Sequence, residues 1–111
     1  MLHSDGNVEV LLPDMVDTGF TALTPVECRS QMDLVKLKQT YGNRLAYMGG
    51  IDVDVLSTND RDLVEQEVAQ KVEVAREQGG YIFHSDGSVP PTVTLDTYKL
   101  AREVALDHGT Y

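Results

Sequence analysis

The sequence predicts an α/β fold built of four βα units. Three observations carry that reading. Apolar runs at residues 21–24, 45–48 and 81–83 are short and do not alternate with polar residues, as expected of parallel strands covered on both faces. Segments of helical period separate them, so helix and strand alternate along the chain. The chain has 111 residues, 41% hydrophobic and 24% charged, which suits one globular domain, residues 1–111, and no second one.

Each element has a local reason. Met1-Leu2 reads as the tail of a first strand. Residues 8–18 read as helical with Asn7 as the cap. Pro13 either breaks that helix after one turn or opens a second segment at its first position, and Gly19 ends it. Strand 21–24 stops at Pro25. After a loop at 25–30, Asp33 caps a short helix at 34–40, closed by Tyr41-Gly42-Asn43. Strand 45–48 runs into Gly49-Gly50-Ile51-Asp52. The clearest helix spans 60–78, with Thr58 or Asn59 near its cap. Val64, Val68, Val72 and Ala75 share one face at the helical period, and Glu65, Glu67 and Glu73 fall on a solvated face. Gly79-Gly80 separates this helix from strand 81–83. Past Pro90-Pro91 a last helix covers Leu95–His108, capped by Thr94, with Tyr98, Ala101, Val104, Ala105 and His108 on its buried side.

Charge and composition exclude several functions. Nine Lys and Arg stand against eighteen Asp and Glu, a net charge of −9. Nucleic acids and anionic membranes need clustered cations, so neither is an expected partner. No apolar run is long enough to span a bilayer. Met1-Leu2 leads directly into His3-Ser4-Asp5-Gly6, so no secretory leader is expected. The single cysteine, Cys28, cannot form an internal disulfide and fits a reducing, cytoplasmic location.

Function is expected where the strands end. In parallel α/β folds ligand sites gather at the carboxyl ends of the strands. The loops there are His3-Ser4-Asp5-Gly6, Pro25-Val26-Glu27-Cys28, Gly49-Gly50-Ile51-Asp52 and His84-Ser85-Asp86-Gly87. The first and last belong to near copies, His3-Ser4-Asp5-Gly6-Asn7-Val8 and His84-Ser85-Asp86-Gly87-Ser88-Val89, identical at five of six positions. His3, Asp5, His84 and Asp86 are the candidate metal ligands, since imidazole and carboxylate suit zinc or another divalent ion. The plainer alternative is that Ser-Asp-Gly simply forms turns. Gly49 and Gly50 permit close approach of a cofactor or of another stretch of backbone. Asp52 is the candidate acid–base group. Cys28 is more readily a small packed residue than a nucleophile. Met32 and Met48 read as core.

Several of these stretches resemble a known family. His3-Ser4-Asp5-Gly6-Asn7-Val8, Leu12-Pro13-Asp14 and Gly19-Phe20-Thr21-Ala22-Leu23 are similar to the later strands of the uroporphyrinogen decarboxylase superfamily. Met32-Asp33, Leu37-Lys38, Tyr41-Gly42, Met48-Gly49-Gly50-Ile51-Asp52 and Gly79-Gly80-Tyr81-Ile82 continue the resemblance, and Val89-Pro90-Pro91 through Leu95-Asp96 closes it. The match looks closer to the cobalamin-dependent methyltransferase branch than to the decarboxylases. It implies a (β/α)8 TIM-type barrel with its site at the carboxyl face, a fold of ~250 residues, of which the four units are the C-terminal half. It also implies a zinc site that activates a thiol or other methyl acceptor, and a corrinoid or tetrapyrrole ligand. The family's His-x-Cys-Gly places ligands at His3 and Asp5, with Asp a harder ligand than Cys. A further family cysteine falls near Asp86-Gly87, where His84 or Asp86 stands in. The decarboxylase branch keeps its essential acid and arginine-rich motif in the other half.

Four parallel strands alone leave two sticky edges and an apolar inner face. A homodimer or a separately encoded N-terminal half is therefore the expected partner. The expected function is metal-assisted methyl transfer at the loop face. The alternatives are a non-catalytic half-barrel that serves assembly, and a decarboxylase-type lyase.

Overall fold

A computed structural model describes all of residues 1–111. Four strands form one sheet: β1 (Leu2–His3), β2 (Ala22–Thr24), β3 (Ala46–Met48) and β4 (Tyr81–Ile82). Their order in space is their order in sequence, and every neighbouring pair is parallel. This sequential winding is that of a (β/α)8 barrel; doubly wound sheets reverse their strand order partway. The structure is therefore an α/β sheet compatible with half of a TIM barrel.

Five helices connect and follow the strands: α1 (Leu12–Asp17), α2 (Leu34–Tyr41), α3 (Val53–Ser57), α4 (Arg61–Ala75) and α5 (Leu95–His108). The first segment divides as the second Pro13 option requires. A 3-10 turn at Glu9–Leu11 precedes α1, and Pro13 sits in the first turn of α1, where its missing N–H costs no helical bond. Asp33 caps α2 by accepting from the Val35 and Lys36 amides, and Thr94 caps α5 by accepting from Thr97. The long helix starts at Arg61 and is capped by Asp60, not by Thr58 or Asn59. Helix α3 is an element that no period in the sequence announces.

Register divides the sheet into two faces. Leu2 pairs with Leu23, Leu23 with Tyr47 and Tyr47 with Tyr81. This row packs into a core with Val8, Leu12, Leu34, Leu37 and Leu45, on the helix side. Val64, Val68 and Val72 of α4 bury against Ala101 and Ala105 of α5 and against Ile51 and Leu56 in a second core. Each such valine contributes about 2 kcal/mol of apolar burial. Met32 is core, as expected. Tyr98 is not: it is 51% exposed, on a stripe of α5 with Leu95 and Leu106 that nothing in the chain covers. His108 is only partly covered and bonds Glu73 at 2.6 Å. No helix is long and apolar enough to cross a membrane.

Candidate functional site

All four strand-end loops do gather at one end of the sheet. A cavity of about 700 Å³ opens there, lined by His3 at the end of β1 and Asp5 beyond it, Thr24 at the end of β2 and Pro25 beyond it, Met48 of β3, and His84 and Ser85 after β4. Three of the four candidate metal ligands, His3, Asp5 and His84, thus share one mouth. His3 Nε2 lies 3.5 Å from Asp5 Oδ1, and both side chains are exposed. His84 Nδ1 lies 2.7 Å from the Ser85 carbonyl. A carbonyl only accepts, so Nδ1 is the nitrogen that donates in this contact, and Nε2 is the ring nitrogen it leaves free. Met48 lines this mouth as well as touching the sheet, so it is not purely core.

The fourth candidate does different work. Asp86 is only 2% exposed. One carboxylate oxygen accepts from the Cys28 amide at 2.9 Å and the other from the Val53 amide at 3.0 Å. Its own amide donates to Ile51. A buried carboxylate needs such donors to replace water, and here they come from the loops after β2 and β3. Asp86 is a clamp between three loops, not a ligand presented to the mouth. No group of three or more His, Cys, Asp or Glu side chains is arranged to hold a metal ion. The exposed His3–Asp5 pair and His84 do not by themselves make the zinc site that the resemblance implies.

Asp52, Gly49 and Gly50 make contacts within the loops themselves. Asp52 does not line the cavity; its carboxylate caps α3, accepting from the Asp54 amide at 2.8 Å. Gly49 has φ +121°, and a Cβ there would lie 1.8 Å from the Pro25 carbonyl oxygen. Gly50 has φ +82°, and its Cβ would meet the Leu34 side chain at 2.9 Å. These glycines let the loop after β3 press against its neighbours, the close backbone approach that was one of the two expectations for them.

Two further clamps complete the mouth. Glu27 accepts from the Gly6 amide at 2.7 Å and from the Ser30 hydroxyl at 2.9 Å, joining the loops after β1 and β2. The Gly6 amide, then the Ser30 hydroxyl, hold the Glu27 carboxyl below the usual carboxylate range. From α4, Glu67 accepts from the Asp52 amide at 2.9 Å, and Lys71 donates to the Gly50 carbonyl at 2.8 Å. Lys71 and Glu67 form an ion pair whose side chains are 18% and 15% exposed. The Glu-rich face of α4 predicts a solvated Glu67, and the structure instead half-buries it with Lys71. The available signal was their i, i+4 spacing, which is equally that of an ordinary surface pair.

Cys28 lies inside this network, its thiol 3.4 Å from the Gly50 carbonyl and 3.5 Å from Lys71 Nζ. Burial pushes the thiol up to about 12, overriding the lowering by the Lys71 ammonium. The thiolate is the reactive form. Alkylation of the folded protein by iodoacetamide at pH 8 is therefore expected to be about a thousandfold slower than that of a free cysteine peptide. Mass spectrometry over time checks this; equal rates would show that Cys28 is open and activated.

A family model described as uroporphyrinogen decarboxylase (URO-D) matches residues 1–107. No curated protein and no solved structure matches the chain.

Proposed function

Because the chain belongs to the uroporphyrinogen decarboxylase family, we propose that it is the C-terminal half of a (β/α)8 enzyme that transfers or removes a one-carbon unit. Its own contribution is the proton-handling wall of the mouth. The observation that carries this is the bond from His84 Nδ1 to the Ser85 carbonyl, which leaves Nε2 as the free ring nitrogen of a residue that lines the cavity. A corrinoid would supply the methyl group and keep the electron pair of the bond that breaks, while His84 Nε2 would take the proton that a thiol or other protic acceptor gives up. His3, beside Asp5 on the opposite edge strand, is the second proton carrier. Asp86, Glu27 and the Lys71–Glu67 pair position the loops that present these groups. Methyl transfer is the reading we favour, since with Nδ1 held by the Ser85 carbonyl a neutral His84 would accept a proton at Nε2. A decarboxylase would need the protonated ring to deliver a proton to carbon.

The test is activity with the barrel closed by its completing half. Methyl transfer from methylcobalamin to a small thiol is measured beside carbon dioxide release from uroporphyrinogen. Turnover is expected in the first assay, and His84→Asn is expected to lower kcat about 100-fold, with KM little changed. Turnover only in the second assay would move the protein to the lyase reading. Inertness in both, or an unaffected His84→Asn, would remove the proposal.

A further inference from the structure

His84, Ser85 and Val89, in the loop after β4, border two cavities and not one. The first is the mouth. The second is smaller, about 110 Å³, and the same three residues line it. Its remaining walls come from Ile51, Leu56, Phe83, Tyr98 and Ala101.

The chemistry of the two differs. Ile51, Leu56 and Ala101 are buried and belong to the second core, so the small cavity ends on aliphatic carbon. Phe83 and Tyr98 are 38% and 51% exposed and flank its open side. No Asp, Glu, Lys or Arg lines it. Its polar groups are largely occupied within the loop. The Ser85 hydroxyl donates to the Gly87 carbonyl at 2.6 Å, and the Ser85 carbonyl accepts from His84 Nδ1. A polar group entering there would give up its bonds to water and find few replacements. An apolar group gives up none, and burial there is favourable.

Size narrows the occupant. A cavity of about 150 Å³ lined by Leu, Ile and Phe holds the six carbons of benzene. In the same proportion, the small cavity has room for roughly four carbons.

We propose that the small cavity is a subsite for the tail of the methyl acceptor, a neutral thiol with an apolar chain of roughly four carbons. That the ligand is a thiol rests on the methyl-transfer reading above; that its tail is short and apolar rests on the cavity alone. His84 borders both spaces. A sulfur that yields its proton to His84 therefore stands at their junction, and its chain enters the smaller one. Leu56 and Ala101, at the closed end, set the chain length accepted.

Binding is measured by NMR on the isotope-labelled chain, with no methyl donor present, using butanethiol, mercaptoethanol and mercaptopropionate as probes. Butanethiol is expected to shift the amide signals of Phe83, Tyr98 and Ala101. It should bind at least about tenfold more tightly than mercaptoethanol, since each buried methylene is worth about fourfold in affinity. Mercaptopropionate, which is anionic, should leave those signals in place. Ala101→Leu fills the cavity with its own side chain and should abolish the butanethiol shifts. Tyr98→Ala, at a half-exposed position that puts folding at little risk, opens the cavity to water and should weaken butanethiol about fivefold. Absence of butanethiol binding, equal affinity for butanethiol and mercaptoethanol, or shifts unchanged in both variants would overturn the proposal. Turnover plays no part in these readouts. Butanethiol bound in an enzyme inert to methyl transfer would remove the earlier reading and leave the subsite. Methyl transfer to polar thiols without butanethiol binding would do the reverse.

Discussion

Asp86→Ala is expected to lower the free energy of unfolding by about 3 to 5 kcal/mol. The carboxylate is buried and both its oxygens are used. Truncation leaves the buried Val53 amide and the half-buried Cys28 amide without an acceptor. Each orphaned amide costs about 1 to 3 kcal/mol. The damage is shared by the loops after β2, β3 and β4, because the two amides belong to different loops. Asp86→Asn keeps one acceptor but turns an amide donor toward an N–H, so about half the loss is expected. Urea unfolding checks both variants. A value for Asp86→Ala within about 0.5 kcal/mol of the parent would show that the clamp does not hold the mouth together.

Gly49→Ala is expected to cost about 4 kcal/mol, from a strained backbone and a steric clash together. At φ +121° an L-residue is strained whatever space surrounds it. Here there is no space, since the new Cβ would overlap the Pro25 carbonyl oxygen. Relief requires the loops after β2 and β3 to separate. That movement would also stretch the bond from the Gly50 amide to the Pro25 carbonyl, 3.0 Å long. Calorimetry on the purified variant gives the loss directly. The Gly6→Ala variant is the control, because nothing lies within 4 Å of a Cβ there although φ is +80°. It carries the conformational strain without the clash, and a smaller loss of about 1 kcal/mol is expected. Equal losses would mean that backbone strain alone explains Gly49.

Much of the fold was legible because its signals are local. The valine stripe of α4, the caps at Asp33 and Thr94 and the glycine stops each depend on residues a few positions apart. Parallel strand order followed from apolar runs alternating with helices. Helix α3 was not legible. Its five residues, Val53-Asp54-Val55-Leu56-Ser57, are too few to show a helical period, and they alternate at the start like a strand. Tyr98 was misplaced for the opposite reason. Its period is helical, but α5 has apolar residues on more than one side, and only packing against α4 decides which side is buried.

The site divides in the same way. That four polar loops would meet at one mouth could be read from the chain, because every βα unit delivers its strand end to the same face. The two His-Ser-Asp-Gly copies could be read as well, and as sequence they are equivalent. Tertiary structure makes them unequal. Asp5 stays exposed beside His3, while Asp86 is drawn under the loops by the amides of Cys28 and Val53, more than thirty residues before it in the chain. Likewise Lys71 and Glu67 are a half-buried strut only because α4 passes beneath the loop after β3. The amino-acid sequence by itself determined the βα units, their shared mouth and the family. Which carboxylates face the mouth and which are spent holding it was decided only in three dimensions, because their partners are backbone amides that any residue provides and only the fold brings within reach.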